Sequence, residues 1–194
     1  MRKSFTGFVT GVTVLTMFSG VAAAYDFSAD VVSTQNKTEM KGKIFVSGDR
    51  SRMEMKDMAI IVRGDKKVSW VLMNDQKMYM ENPITPGSVP VEKDPSQVEK
   101  VVVGKEKVDG KPATKYKVTL ESGKQKTVVY QWFLDDSGFP VKSAALDGSW
   151  SNEFKNMKSG AQPASLFEIP AGFQKFSMPA MPSMPAAPSG AGGE

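Results

Sequence analysis

The chain has 194 residues, 40% apolar and 24% charged, which suits one domain with a core of its own plus a tail. Its formal charge is +4, from 25 basic and 21 acidic residues, a balance that predicts no nucleic-acid partner. It contains no cysteine and no histidine, so disulfides, thiol nucleophiles, imidazole acid–base chemistry and the usual zinc ligands are excluded.

Residues 1–24 read as a secretory leader. Arg2 and Lys3 precede an apolar run from Phe8 to Val21 that ends in Ala22-Ala23-Ala24, with cleavage expected before Tyr25. The run is too short for a permanent anchor, which needs about 20 residues. No cysteine stands at the cleavage point to carry acyl chains, so the expectation is a protein released into the periplasm.

From Tyr25 to Met157, short runs of Val, Ile, Met and aromatic residues alternate with turn residues, the pattern of an antiparallel meander. Strands are expected at 25–33, 40–47, 50–55, 59–63, 67–73 and 77–81, and then at 101–108, 113–120, 126–134, 140–146 and 149–157. That is about eleven strands. Turns are expected at Ser47-Gly48-Asp49, Gly64-Asp65, Asn74-Asp75, Asp109-Gly110, Ser122-Gly123, Asp136-Ser137-Gly138 and Asp147-Gly148, with Asp109-Gly110 the strongest.

In the strand at 113–120, Thr114, Tyr116, Val118 and Leu120 alternate with Ala113, Lys115, Lys117 and Thr119, so one side faces water. In the strand at 67–73, Val68, Trp70 and Leu72 alternate with Ser69, Val71 and Met73. Both sides are apolar, so a second element must cover it. The expected cover is Asn82 to Lys100, where Pro83, Pro86, Pro90 and Pro95 oppose a strand and limit any helix to a turn or two after Asp94. Ser165 to Pro170 reads as a short helical turn that packs Leu166, Phe167 and Ile169 on the sheet. The domain is therefore expected to span residues 25–176. Residues 177–194, almost wholly Met, Pro, Ala, Ser and Gly, are expected to be a disordered tail.

No residue set resembles a catalytic centre. Asp135 with Asp136, and Asp26 with Asp30, are carboxylate pairs, but the first sits in a hairpin turn where such residues bond local backbone. No phosphate-cradling glycine loop is present. Asn36-Lys37-Thr38 matches a glycosylation acceptor, a motif common by chance.

Methionine is the unusual residue, with 13 in the chain and Met40, Met53, Met55, Met58, Met73, Met78 and Met80 in the first half. Thioether side chains are unbranched and adaptable, so they suit a wall that repacks around varied apolar guests as well as ordinary core filling. The candidate lining is Ile44, Val46, Met53, Met55, Trp70, Leu72, Met78, Met80, Val118, Tyr130 and Trp132. Arg50 and Arg52 share a strand face and are candidates for an anionic headgroup, against the alternative of cross-strand pairing. Met178, Met181 and Met184 recur every third residue, which in a polyproline II conformation would put three thioethers on one side for Cu(I). The alternative is plain composition. No other metal and no cofactor is expected.

Several segments together resemble a known group. They are Phe27-Ser28-Ala29-Asp30, Met40 to Val46, Arg50-Ser51-Arg52-Met53-Glu54, Lys77-Met78-Tyr79-Met80, Gly104 to Gly110 with Lys115-Tyr116, and Phe167 to Phe173. The pattern is similar to an uncharacterised bacterial periplasmic family akin to the LolA and LolB lipoprotein carriers, and it covers nearly the whole domain. The resemblance implies a mainly β fold, a strongly curved, incomplete antiparallel barrel that shelters acyl chains beneath a short helical or irregular lid. It implies lipid or lipoprotein acyl chains as partners, with transient contact at a membrane surface. The chain departs from the carriers in lacking their long amphipathic first helix and in its proline-rich 82–100 segment. The alternative reading is a structural or interaction module with an envelope protein as partner, using exposed sheet edges or the Met-Pro tail.

Overall fold

Each expected strand forms, and their pairing brings the two ends of the domain together. The computed structural model describes residues 26–84, 96–122 and 125–176. In chain order the strands are β1 (Phe27–Gln35), β2 (Thr38–Ser47), β3 (Arg50–Met55), β4 (Met58–Arg63), β5 (Val68–Met73) and β6 (Met78–Pro83). Then come β7 (Ser96–Val108), β8 (Lys111–Ser122), β9 (Gln125–Leu134), β10 (Pro140–Ala145), β11 (Trp150–Ser159) and β12 (Gln174–Lys175). They make one curved, unclosed sheet in the order β12-β6-β5-β4-β3-β2-β1-β11-β10-β9-β8-β7. Two meanders, β1–β6 and β7–β11, therefore join where β1 pairs antiparallel with β11, as in Val31 opposite Phe154.

Local chemistry explains the hairpins. Asp109 and Gly110 hold φ of 50° and 77°, the two positive values that a two-residue connection needs to match strand twist. Asn36 and Lys37 do the same at 47° and 69°, a turn whose signal was hidden within a sequence that reads as a glycosylation acceptor. Irregularities supply the curvature. Bulges lie between Ser28 and Asp30 against β11, where Asn156 has a φ of 52°, and between Pro140 and Lys142 against β9. Between them they bend the sheet so that Phe139 and Phe154 meet Phe27 at ring distances of 5.2 and 6.3 Å. Gly42 has a comparable role in β2, because a Cβ there would lie 2.4 Å from the Glu54 carbonyl oxygen.

The apolar residues pack as two clusters. The larger joins Phe27, Ile44, Val46 and Met53 to Val108, Ala113, Leu134, Phe139, Val141 and Phe154 across the β1–β11 seam. The smaller consists of Ala59, Ile61, Trp70 and Leu72 beneath Phe167 of a 3-10 turn at Ala164–Phe167, with Leu166, Ile169 and Phe173 around it.

Three findings amend the sequence expectations. The cover over Trp70 and Leu72 is this C-terminal turn, so the second apolar side of β5 is satisfied from far along the chain. The segment expected to lie outside any strand is strand at both ends, since β6 runs through Pro83 and β7 begins at Ser96. Pro83 is tolerated because the next ladder bond runs from Ile84 N–H to Lys67 O, which places the proline nitrogen on the side away from β5. The middle of the expected lid segment, residues 85–95, together with Met178, Met181 and Met184 and the leader, lies outside the described residues. A twelfth strand joins the sheet too, parallel to β6 with Gln174 opposite Met78. At two residues it is too short for alternation to reveal.

Candidate functional site

Strand register assigns each side chain to a face, because one step along a strand reverses it. Ile44 lies opposite Met53, Met53 opposite Ile60, Ile60 opposite Val71 and Val71 opposite Met80. One row along the same face is Met55, Met58, Met73 and Met78. This face of β3–β6 therefore carries six methionines with Ile60 and Val71 among them. Its character changes along the sheet. Ile44, Val46 and Met53 are locked into the larger cluster, whereas Met58, Ile60, Val62, Val71, Met73, Met78 and Met80 are half-buried and belong to neither packed cluster. With strands about 4.8 Å apart, β4–β6 present an apolar strip roughly 10 Å across.

The sequence candidates divide accordingly. Met78 and Met80 are on the half-buried strip, Met55 packs against the larger cluster beside it, and Ile44, Val46 and Met53 continue it into the core. Trp70 and Leu72 lie on the reverse side, under Phe167. Tyr130 and Trp132 are on β9 with ammonium groups over their rings. Lys115 lies 4.4 and 4.8 Å from the two centroids and Lys142 lies 5.2 Å from Trp132. The Trp132 indole N–H also donates to Glu106 at 2.9 Å. Val118 is buried on the face of β8 opposite to them, since it pairs with Val129 whereas Lys117 pairs with Tyr130. Sequence reading missed Ile60, Val62 and Val71. Their signal was present, because β4 and β5 are apolar at both parities, but periodicity alone does not say which parity a distant segment will cover.

Arg50 and Arg52 are engaged with the C-terminal turn. Arg52 donates to Glu54 at 2.7 Å and to Leu166 O at 3.1 Å, and the Arg50 guanidinium stacks 5.1 Å from the Phe167 ring centroid. Arg63, which was not singled out from sequence, is the centre of this arrangement. It is 5% exposed, donates twice to Asp65 (2.8 and 2.6 Å), donates to Phe167 O at 3.1 Å and pairs with Glu168. The fork on Asp65 is the main reason its pKa is raised, and it holds the Asp65 carboxyl at about 2, below its ordinary 3.8. Glu168 is lowered as well, first by Arg63 and then by Lys66. The C-terminal strap runs from the turn at Ala164–Phe167 to β12 at Gln174–Lys175, and at its far end Glu81 is lowered by Lys175 and by the Trp70 indole N–H.

These depressed carboxylates set a pH dependence. Their contribution is complete above the unfolded carboxylate range of about 4 to 4.5 and is lost as pH falls through the lower folded values. The Trp70 indole N–H resonance, which reports its 3.0 Å bond to Glu81, is expected to be constant from about pH 7 to 5 and to move only below that range as the strap loosens. A resonance that shifts within that window, or that stays unmoved in strong acid, contradicts the assignment.

A recess of about 730 Å³ opens over β1–β3 and β11, and its walls are charged: Asp30, Glu39, Lys41, Lys43, Glu54, Lys56 and Lys155. Met55 and Val31 also line this recess, whereas the half-buried apolar strip lies on β4–β6. Three of the carboxylates considered as acid–base pairs bond to residues distant in the chain. Asp135 accepts from Thr114 at 2.6 Å, Asp26 from the Gly48 N–H at 3.1 Å, and Asp30 from Asn156 at 2.7 Å. Among the described residues no group of three His, Cys, Asp or Glu is placed to hold a metal ion, and no helix is long and apolar enough to cross a membrane.

Comparison places the fold. Residues 28–135 match a family model described as a domain of unknown function, DUF4412, and no curated protein matches the chain. The structure is similar to an uncharacterized conserved protein from Thermus thermophilus. The TM-score is 0.58 at 13% identity, covering 80% of this chain and 91% of that one. It is also similar to a chain of the Pseudomonas aeruginosa MucA/MucB complex, with a TM-score of 0.56 at 19% identity over 81% of this chain and 60% of that one. A chain from the structure of MucB in complex with MucA(peri) gives 0.52 at 19% identity, over 81% and 58%. This chain thus spans about 60% of the length of those two. The curved sheet is the LolA/LolB-like fold that the sequence resemblance implied.

Proposed function

We propose that this chain, which belongs to the DUF4412 family, is a non-enzymatic binding protein of the bacterial envelope whose half-buried methionine strip receives an acyl-bearing ligand. The observation that carries the reading is the asymmetry of β4 and β5. One side is sealed by Phe167 and the arginines, while the other displays Met58, Ile60, Val71 and Met73 outside the packed clusters. Adaptable thioethers on a rigid sheet suit chains of varied length and unsaturation. Burial is worth about 0.8 kcal/mol per CH₂, so roughly 14 methylenes gain about 11 kcal/mol before ordering costs. A surface that covers half of each methylene keeps about half of that, enough for reversible carriage.

The test is native mass spectrometry of gently purified protein together with titration of a fluorophore-labelled C16 fatty acid. Wild type is expected to carry lipid and to bind the probe. Val71→Lys, at the centre of the strip, is expected to weaken probe binding about tenfold or more with an unchanged far-UV circular dichroism spectrum. Lipid-free wild type that ignores the probe, or a Val71→Lys variant that binds as wild type does, defeats the proposal. A second reading, an interaction module, is favoured by the MucA/MucB structure as a protein–protein complex on the same fold and by the exposed far edge of the sheet.

A further inference from the structure

Methionines from three different strands meet in one row. Met58 lies directly opposite Met73, and Met73 lies directly opposite Met78, so the row crosses β4, β5 and β6 on one face of the sheet. Cβ atoms of directly opposite residues are roughly 4.5–5.5 Å apart. Each thioether hangs on three rotatable bonds, so three sulfurs at that spacing can converge on one point while the backbone stays in place. All three side chains are half-buried and belong to neither packed cluster, so core packing does not commit their sulfurs elsewhere. Met55 continues the row onto β3 but is engaged differently. It packs against the larger cluster, with its Cγ 3.5 Å from where a Cβ on Gly42 would stand.

We propose that Met58, Met73 and Met78 form a three-thioether site for a soft monovalent cation, Cu(I). The donor set decides the ion. Mg²⁺ and Ca²⁺ take oxygen ligands and Zn²⁺ takes thiolate, imidazole or carboxylate, whereas soft Cu(I) accepts neutral thioethers. The chain has no histidine or cysteine to offer a rival site for the same ion. Access comes from position. Met58 opens β4, Met73 ends β5 and Met78 opens β6, so the row stands at the rim of the sheet beside the turns at 56–57 and 74–77. Those two turns are tied together by the Asn74 N–H donating to Asp57 O at 3.1 Å. They carry Lys56, Asp57, Asp75 and Lys77, two charges of each sign, so the rim does not repel a cation. The three positions show no ligand spacing in sequence, and hairpin register alone brings them together. This site is separate from the tail methionines, and it does not rest on the acyl reading, because metal and lipid are read in different titrations.

Anaerobic competition of the full chain against a colorimetric Cu(I) chelator reads the affinity. Spectra of protein labelled with ¹³C at the methionine methyls, taken with Cu(I) and with redox-inert Ag(I), read the location. Wild type is expected to hold the ion against the chelator, with the Met58, Met73 and Met78 methyl resonances shifting together. Met73→Leu removes the central sulfur and keeps the apolar volume, so it is expected to weaken Cu(I) binding about tenfold or more with an unchanged far-UV circular dichroism spectrum. A variant combining Met178→Leu, Met181→Leu and Met184→Leu is expected to retain the ion. Wild type that yields all Cu(I) to the chelator, a Met73→Leu variant that binds as wild type does, or shifts confined to the tail methyls would each overturn the proposal.

Discussion

Phe167→Ala is expected to lower the free energy of unfolding by about 3–5 kcal/mol, the range for truncating a fully buried aromatic side chain. Phe167 is fully buried and is the plug over Ala59, Ile61 and Leu72, which are themselves fully buried. The turn that carries it cannot hold itself in place. It has four residues of 3-10 helix, starts after Pro163 with no side-chain cap, and is too short to be stable in isolation. Removing the ring therefore costs more than its own contacts, because the surrounding apolar surface of β4 and β5 becomes wet. Urea denaturation gives the magnitude. Limited proteolysis within 160–176 gives the mechanism, with cleavage expected to accelerate in the variant while the sheet remains intact. A loss below about 1 kcal/mol would show that the strap is held by something other than this plug.

Arg63→Ala is the second large effect, expected at about 2–4 kcal/mol. Breaking a buried ion pair by removing one partner commonly costs about 3–5 kcal/mol, and that value is reduced here because Asp65 and Glu168 retain 41% and 51% side-chain exposure and can rehydrate. The remaining cost comes from the backbone. Phe167 O loses its guanidinium donor in a site with little water, and the cation 6.0 Å from the Trp70 ring centroid is lost with it. Arg63→Lys is expected to recover less than half, since an ammonium cannot fork onto Asp65 while also reaching Glu168 and the carbonyl. The double variant with Phe167→Ala is expected to cost clearly less than the sum of the two, because both residues fix one strap. Full additivity in a denaturation cycle would separate them.

Together these residues divide labour across the sheet. The strap fills one side of β4 and β5 with groups from the chain itself, and the opposite side of the same strands is the face proposed above for the ligand. A variant that frees the strap is therefore a stability variant first, and Val71→Lys on the far side remains the cleaner probe of binding.

Much of this was decided locally. Period-two alternation and the turn chemistry of Asp109-Gly110 and Asp147-Gly148 act within a few residues, so the eleven main strands, their order and the mainly β class follow from sequence alone. The turn carrying Phe167 was legible too, because Pro170 stops it and its apolar residues need a surface. What sequence left open was which of two apolar parities on β4 and β5 would be sealed. That depends on a segment about a hundred residues later, and no local periodicity encodes a contact at that separation. The same distance hid the use of Arg52, a headgroup candidate from sequence, and of Arg63, which sequence did not single out, as donors to the Leu166 and Phe167 carbonyls. The pairing of β1 with β11 and the bulges at Ser28 and Pro140 are long-range features of the sheet that no local pattern encodes. Backbone pairing over long range is thus what turned an apolar strand into two sides with different fates.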